Sequence, residues 1–415
     1  RQPPAREGII SMTSAVARDT AGQDVFAGVD SHTDTIHVAV VSDNGGHLAD
    51  AEFPTTAAGY AAALAFLNAH GHVLVIGVEG TASYGAGFTR EARAHGHRVV
   101  EVNRPDRAER RRIGKSDPID AYAAARAALS GRASSAPKDD TVAGIRALHN
   151  AARSAVKART AALNQTGQIL ITAPETIRAK YGRLKAKERT DALARVRPSG
   201  DTVHVAVLTA LKSLARRVKE LTAEHEALTK ALDAEVTAHN PGLRAAYGVG
   251  PDTAAQLLVT AGGNPERMRT EAAFAALCGA APVPASSGRT NRHRLSRGGD
   301  RAANAALYRI ALCRMSSDRR TRDYVARQTE AGRTKKEIIR LLKRAIAREM
   351  FRCLTTTVAV PGIADLRPLR QSKNITLTAV ACHFGVWPAT ISTLERGIRR
   401  DDDLANSYRE WLTAA

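Results

Sequence analysis

Val25-Phe26-Ala27-Gly28-Val29-Asp30, then Thr35-Ile36-His37-Val38-Ala39-Val40-Val41, then Leu48-Ala49-Asp50-Ala51-Glu52-Phe53 decide how this chain begins to fold. The first run is apolar and stops at a carboxylate. The second is rich in β-branched residues, and Ser31–Asp34 between them reads as a tight turn joining antiparallel strands. Asp43-Asn44-Gly45-Gly46 is a second turn. The third run alternates in the manner of a strand. Working outward, Ala57–Ala69 carries Tyr60, Leu64 and Leu67 at helical spacing. Val73–Val78 is a continuous buried strand ending in Glu79, Gly80–Gly87 leads into another helix, and Arg98–Val102 is a fifth strand. Three meandering strands followed by alternating helices and strands predict an α/β layered sheet.

That element order, over residues 25–135, matches the ribonuclease-H-like fold. Behind it, Thr141–Leu170 and Val203–Thr237 read as long helices, the second with Leu208, Leu211, Leu214, Val218 and Leu221 in one stripe. Such helices pair with each other or with a second subunit. Residues 139–240 are therefore expected to be a long-helix, coiled-coil linker, with Pro174–Ser199 basic and irregular inside it. Residues 241–356 read as a mainly α domain interrupted by the loop Pro282–Gly299. Arg367–Lys373 reads as a linker, and residues 372–413 as a small helical unit. Residues 1–24 are polar and without period, an expected disordered or extra tail in which Met12 is a candidate start.

The composition says what the protein meets. Of 415 residues 44% are hydrophobic but only 4% aromatic, so the core must be rich in Ala, Val and Leu. The formal net charge of +20 disfavours compaction unless a polyanion offsets it. The surplus is local. Acids and bases nearly cancel between Phe26 and Arg132, whereas Arg289–Lys373 holds about 22 Lys and Arg against about 7 Asp and Glu. No signal peptide or long apolar run is visible, which argues against a membrane partner. The four cysteines, Cys278, Cys313, Cys353 and Cys382, form no CxxC pair, so reduced thiols in a cytoplasmic, nucleoid-associated protein are expected.

Four constellations could carry chemistry. Asp30 and Glu79 each end an apolar strand. Asp117-Pro118-Ile119-Asp120 opens a helix, with Asp117 suited to cap it, Pro118 to the first position, and Asp120 on the same face as Asp117. Four such carboxylates suit two Mg²⁺ ions about 4 Å apart, which can drive an in-line phosphoryl displacement. Taken singly, each acid also reads as a turn residue, a cap or a solvated first-turn charge. Next, Tyr247-Gly248-Val249-Gly250-Pro251-Asp252 followed by leucines resembles a helix-hairpin-helix. There Gly248 and Gly250 would let backbone N–H groups approach a DNA phosphate. Third, Ser286-Ser287-Gly288 sits among Arg289, Arg292, Arg294 and Arg297. A serine there could attack a phosphodiester held by arginines, although those residues taken alone read first as a flexible polar loop. Last, Leu377–Gly397 reads as a helix-turn-helix, with Ala381 at the crossing, Gly385 in the turn, Ile391 and Leu394 packed, and Thr390, Ser392 and Thr393 toward a groove.

Together these residues resemble the transposases of the insertion-sequence 110/116/902 family, the DEDD recombinases. The resemblance runs from about Phe26 to Leu354 and rests on Gly28-Val29-Asp30, Val78-Glu79-Gly80-Thr81 and Lys115-Ser116-Asp117-Pro118-Ile119-Asp120-Ala121. It rests further on Gly248-Val249-Gly250, the Leu277-Cys278-Gly279 to Ser287-Gly288 stretch and Arg297-Gly298-Gly299-Asp300. It implies a Mg-dependent transposase that cuts and rejoins DNA. Asp30, Glu79, Asp117 and Asp120 would be the metal ligands, and Ser287, with Ser286 as alternative, the nucleophile. It further implies dimers pairing into tetramers and a structured guide RNA, for which Arg153, Lys157, Arg159, Arg183, Lys185 and Lys187 are available. The C-terminal helix-turn-helix departs from the family pattern. A junction-resolving nuclease using water, and a non-catalytic DNA-binding regulator, are the competing readings.

Overall fold

The computed structural model describes residues 23–102, 116–138, 140–264, 268–286, 293–294, 296, 298–360, 362–398 and 401–414. The chain divides into two compact units at residue 138.

In the first unit, β1 (Asp24–Ser31), β2 (Thr35–Ser42) and β3 (His47–Pro54) form an antiparallel meander. Helix α1 (Ala57–Ala69) returns the chain to β4 (His72–Glu79), and α2 (Ala86–Ala94) to β5 (Val99–Val102), both parallel to β1. The order is β3-β2-β1-β4-β5, a mixed sheet. Alternation decides its two faces. Val25, Ala27 and Val29 of β1 join Ile36, Val38 and Val40 of β2 in a cluster with Leu64, Leu67 and Phe88 of α1 and α2. Phe26, Ala39 and Val41 turn the other way, onto Ala121, Tyr122 and Ala125 of α3 (Asp117–Leu129).

Among the described residues the second unit is helical apart from one short ladder and connecting loops. Helix α4 (Ala143–Thr172) is followed by α5 (Glu175–Tyr181), α6 (Ala186–Arg195) and α7 (Thr202–His239). The start of α4 (Ile145) shares a cluster with the end of α7 (Leu232, Val236), and its end (Leu170) shares another with Leu208 and Leu211. The two long helices are therefore an antiparallel pair within one chain. The stretch 174–199, expected irregular, holds the two short helices. Ile177, Tyr181 and Leu193 are buried against the long pair, so packing supplies the order that a sparse apolar pattern did not announce.

Beyond them come α8 (Pro241–Ala245), α9 (Pro251–Ala261), α10 (Glu271–Leu277), the two-residue strands β6 (Val283–Pro284) and β7 (His293–Arg294), α11 (Arg301–Ser317), α12 (Arg319–Glu330) and α13 (Lys335–Thr355). Their core, around Leu257, Phe274, Leu307 and Ile346, includes the ends of the long pair. The last cluster gathers α14 (Leu366–Ser372), α15 (Leu377–Phe384), α16 (Pro388–Glu395) and α17 (Asp402–Ala414). Residues 367–373, expected as a linker, are thus largely helix, with Leu366 fully buried and Arg370 anchored below. Among the described residues no single helix is long and apolar enough to cross a membrane.

Candidate metal centre and serine hairpin

Two glycines bring the acids together. On β1, Gly28 and Asp30 share the face that receives α3, and on β4 so do Gly77 and Glu79. A Cβ on Gly28 would lie 2.1 Å from the Ala121 carbonyl oxygen, and one on Gly77 2.5 Å from that of Ala124. The helix backbone therefore rests directly on both strands, with Ala121, Ala124, Ala125 and Ala128 buried beneath it. Tyr122 fixes its rotation by donating to Asp50 Oδ1 at 3.0 Å. The parallel register Val29↔Val78 sets Asp30 level with Glu79 on the neighbouring strand.

The first turn of α3 stands at these strand ends. Ser116, in extended backbone, takes the cap position expected of Asp117, and Asp117 is the first helical residue. Asp117 Oδ1 and Asp30 Oδ2 each lie 3.2 Å from Nε2 of His32. The three ligand atoms are within 4.8 Å of one another. Asp120 is 3% exposed. Burial pushes the Asp30 carboxyl above its ordinary value; His32 pulls it back, and Asp120 and Asp117 push it further up. Glu79 and Asp120 stand outside the close trio. The Glu79 backbone is tied in by Ser31, whose hydroxyl donates to its carbonyl at 3.0 Å.

This donor set fits a divalent cation. His32 Nε2 is shielded from solvent and has no hydrogen-bond partner among the described residues, although two carboxylate oxygens face it. Carboxylate oxygens suit Mg²⁺, and the added imidazole nitrogen suits a softer ion such as Mn²⁺ better. Sequence reading missed His32 because it treated Ser31–Asp34 only as a turn. The spacing Asp-x-His at a strand end was the available signal.

The serine segment is built differently. Val283 pairs with Arg294 and Pro284 with His293, so β6 and β7 form a hairpin stem and residues 285–292 connect them. Ser286 and Arg294 are exposed. Ser287, Arg289, Arg292 and Arg297 lie outside the described residues. The base is clamped. Asp300 N–H donates to the Leu277 carbonyl at 2.6 Å. Asn304 Nδ2 donates to the carbonyls of Cys278 and Gly279, both at 2.9 Å. Gly279 takes φ +60°, and a Cβ there would meet the Gly298 carbonyl at 2.8 Å.

Gly248, at φ +77°, turns the chain between α8 and α9, and Gly250 occupies the cap of α9. Asp252 in the first turn already supplies negative charge to that helix end. It receives a bond from His149 Nε2 at 2.9 Å and faces Arg309. In the last cluster, α15 and α16 meet at 110° across Gly385, which is left-handed at φ 63°. Ala381, Ile391 and Leu394 are buried, and Thr390 and Ser392 half-buried. Glu395, its side chain 3% exposed, accepts from Arg370 Nε at 2.7 Å and Tyr408 at 2.9 Å.

These features define an α/β mixed-sheet unit with an acidic cluster whose donors fit a metal ion, followed by a helical unit that carries a serine hairpin. A family model for the DEDD-type IS110 transposase matches residues 27–173, and one for the transposase of the IS116/IS110/IS902 family matches residues 242–326. The chain belongs to this transposase family. It is also 38% identical over 135 residues to the insertion element IS110 uncharacterized 43.6 kDa protein of Streptomyces coelicolor. That match spans 31% of this chain and 33% of the relative's length.

Proposed function

We propose that this chain is a transposase of an insertion element that cuts and rejoins DNA, with Asp30, Glu79, Asp117 and Asp120 as acids of a metal site and Ser287 as nucleophile. The observation that carries the reading is the convergence of Asp30, Asp117 and the shielded His32 Nε2 at the end of a sheet of ribonuclease-H-like order. Asp30 and Asp117, with His32, would hold the first of two Mg²⁺ ions, and Glu79 and Asp120 would complete the site. When bound, such ions neutralise charge that develops on the attacking and leaving oxygens.

The serine supplies the bond that rejoining needs. The Ser287 oxygen gives up its proton to a base and forms a bond to phosphorus. The P–O bond to one deoxyribose breaks, and that oxygen takes up a proton. The covalent link keeps a phosphoester for reversal, where hydrolysis would discard it. Gly248, Gly250 and arginines 289, 292, 294 and 297 would contact the DNA backbone. Helices α15 and α16 would form a helix-turn-helix presenting Thr390 and Ser392 to a groove, since 110° and a glycine turn suit that motif. Exposed cations such as Arg153, Lys157, Arg183 and Lys185 support a structured guide RNA as further partner. The reading includes a homodimer pairing to a tetramer, acting at the nucleoid.

The test is adduct trapping on a nicked substrate that stalls rejoining. Wild type should give a protein–DNA adduct. Ser287→Ala should lose it and keep DNA binding, while Ser286→Ala should keep both. Asp30→Ala should cut at least ~10³-fold more slowly, the equivalent of about 4 kcal/mol of lost charge stabilisation. Cleavage without any adduct would replace this reading by the water-using resolvase.

A further inference from the structure

A cavity of about 770 Å³ opens beside the stem of the serine hairpin. Arg294 lines it from β7, and Arg333, Arg340, Lys343 and Arg344 line it from α13 and the turn before it, with Glu337 the one acid among the described lining residues. Glu337 is occupied, because it accepts from the Thr334 amide and hydroxyl at 2.9 and 2.7 Å. Arg344 is paired with Glu271. Lys343 is the unusual member. It is 6% exposed, and its ammonium donates to Asn304 Oδ1 at 2.9 Å with no carboxylate opposite among the described residues. Burial lowers its pKa. A buried cation without a counter-ion is costly, and an anionic ligand in the cavity would offset that cost.

Asn304 links this cation to the hairpin. Its amide nitrogen holds the Cys278 and Gly279 carbonyls while its oxygen holds Lys343. The base of the hairpin and the ammonium are thus set by one side chain. We infer that the cavity is a phosphodiester-binding site, in which Lys343, Arg340, Arg333 and Arg294 seat a phosphate of the DNA strand beside the hairpin. The inference rests on the reading of the serine as the group that acts on DNA, and it adds the residues that position that strand. Lys343 and the three arginines are positioning groups, and the attacking oxygen remains that of the serine.

Binding of a short labelled duplex of mixed sequence, titrated with NaCl, tests it without any chemistry. Arg333→Ala/Arg340→Ala and Lys343→Met should each weaken binding about tenfold. The slope of log K against log salt should become shallower by about 0.9 for each phosphate no longer neutralised. Lys343→Arg keeps the charge and should restore most of the affinity. The control pair Lys335→Ala/Lys336→Ala removes two exposed charges from the same helix outside the cavity, and should cost less than the cavity pair. An unchanged slope in cavity variants that melt with wild type overturns the inference, as does equal loss in the control. Loss confined to structured RNA overturns it too. Ser287→Ala should bind as wild type. If the adduct never forms yet the cavity variants still lose binding, the serine reading falls and this site stands.

Discussion

The acidic cluster and the serine hairpin are held by opposite means. The acids sit on the ends of regular elements, pressed together because Gly28 and Gly77 let a helix backbone lie on two strands. The serine segment follows a two-residue ladder whose base is tied in by Gly279, Asn304 and Asp300. The two units also shift their acids in opposite directions. Asp30 has its carboxyl pushed up by burial and by two more acids, whereas Asp252 in the helical unit is held down by His149 and Arg309. Under the readings proposed above, the like charges in each unit would be offset by a ligand, a metal cation in the first and a phosphate in the second.

The largest expected effect breaks the comparison at the glycines. Gly28→Ala should destabilise the first unit by about 3 kcal/mol, since overpacking at backbone contact leaves no side chain to yield. Gly279→Ala should cost the second unit only about 1–2 kcal/mol, for the left-handed backbone and a looser neighbour. Urea midpoints measure both. A Gly279→Ala loss equal to that of Gly28→Ala would mean that the hairpin is as tightly built as the sheet.

A middle effect sharpens the metal side. His32→Ala should weaken Mn²⁺ binding about tenfold, read by titration calorimetry or the Mn²⁺ spin-resonance signal, and should weaken Mg²⁺ binding less. Equal losses for both ions would remove the nitrogen from the ligand set.

The smallest effect concerns Asp252. The bond from His149 holds its carboxyl below the ordinary 3.8, against the opposing pull of burial, and Arg309 adds to the lowering. A depressed folded pKa gives stability that is full above 3.8 and is lost as pH falls through the folded value. Wild type should thus exceed Asp252→Asn by at most about 1 kcal/mol at neutral pH, because solvent screens a half-exposed acid. The gap should close in acid. A gap that widens below pH 3.8 would contradict the assignment.

Much of the frame was legible in the residues. The apolar runs ending in Asp30 and Glu79 are strands, reaching Asp24–Ser31 and His72–Glu79, and Ala57–Ala69 is the helix that its spacing predicts. Gly385, Ile391 and Leu394 take the turn and the buried positions read for them. Residues 174–199 and 367–373 were harder, because a few apolar residues in a basic stretch make helix only when a neighbour covers them.

Periodicity by itself determined which residues lie on which face, and composition determined that the core would be poor in aromatic residues and pointed to an anionic partner. Tertiary structure alone decided what covers each face. Gly28 and Gly77 look like ordinary strand glycines until a helix backbone is seen on them. His32 looks like a turn residue until its Nε2 stands between two carboxylates. Lys343 looks like one basic residue in a basic helix until burial leaves it facing a cavity beside the serine hairpin. The physical reason is that local pattern reflects short-range backbone geometry, while a binding site is made by atoms distant in sequence meeting at hydrogen-bond distance, and only chain packing brings them there.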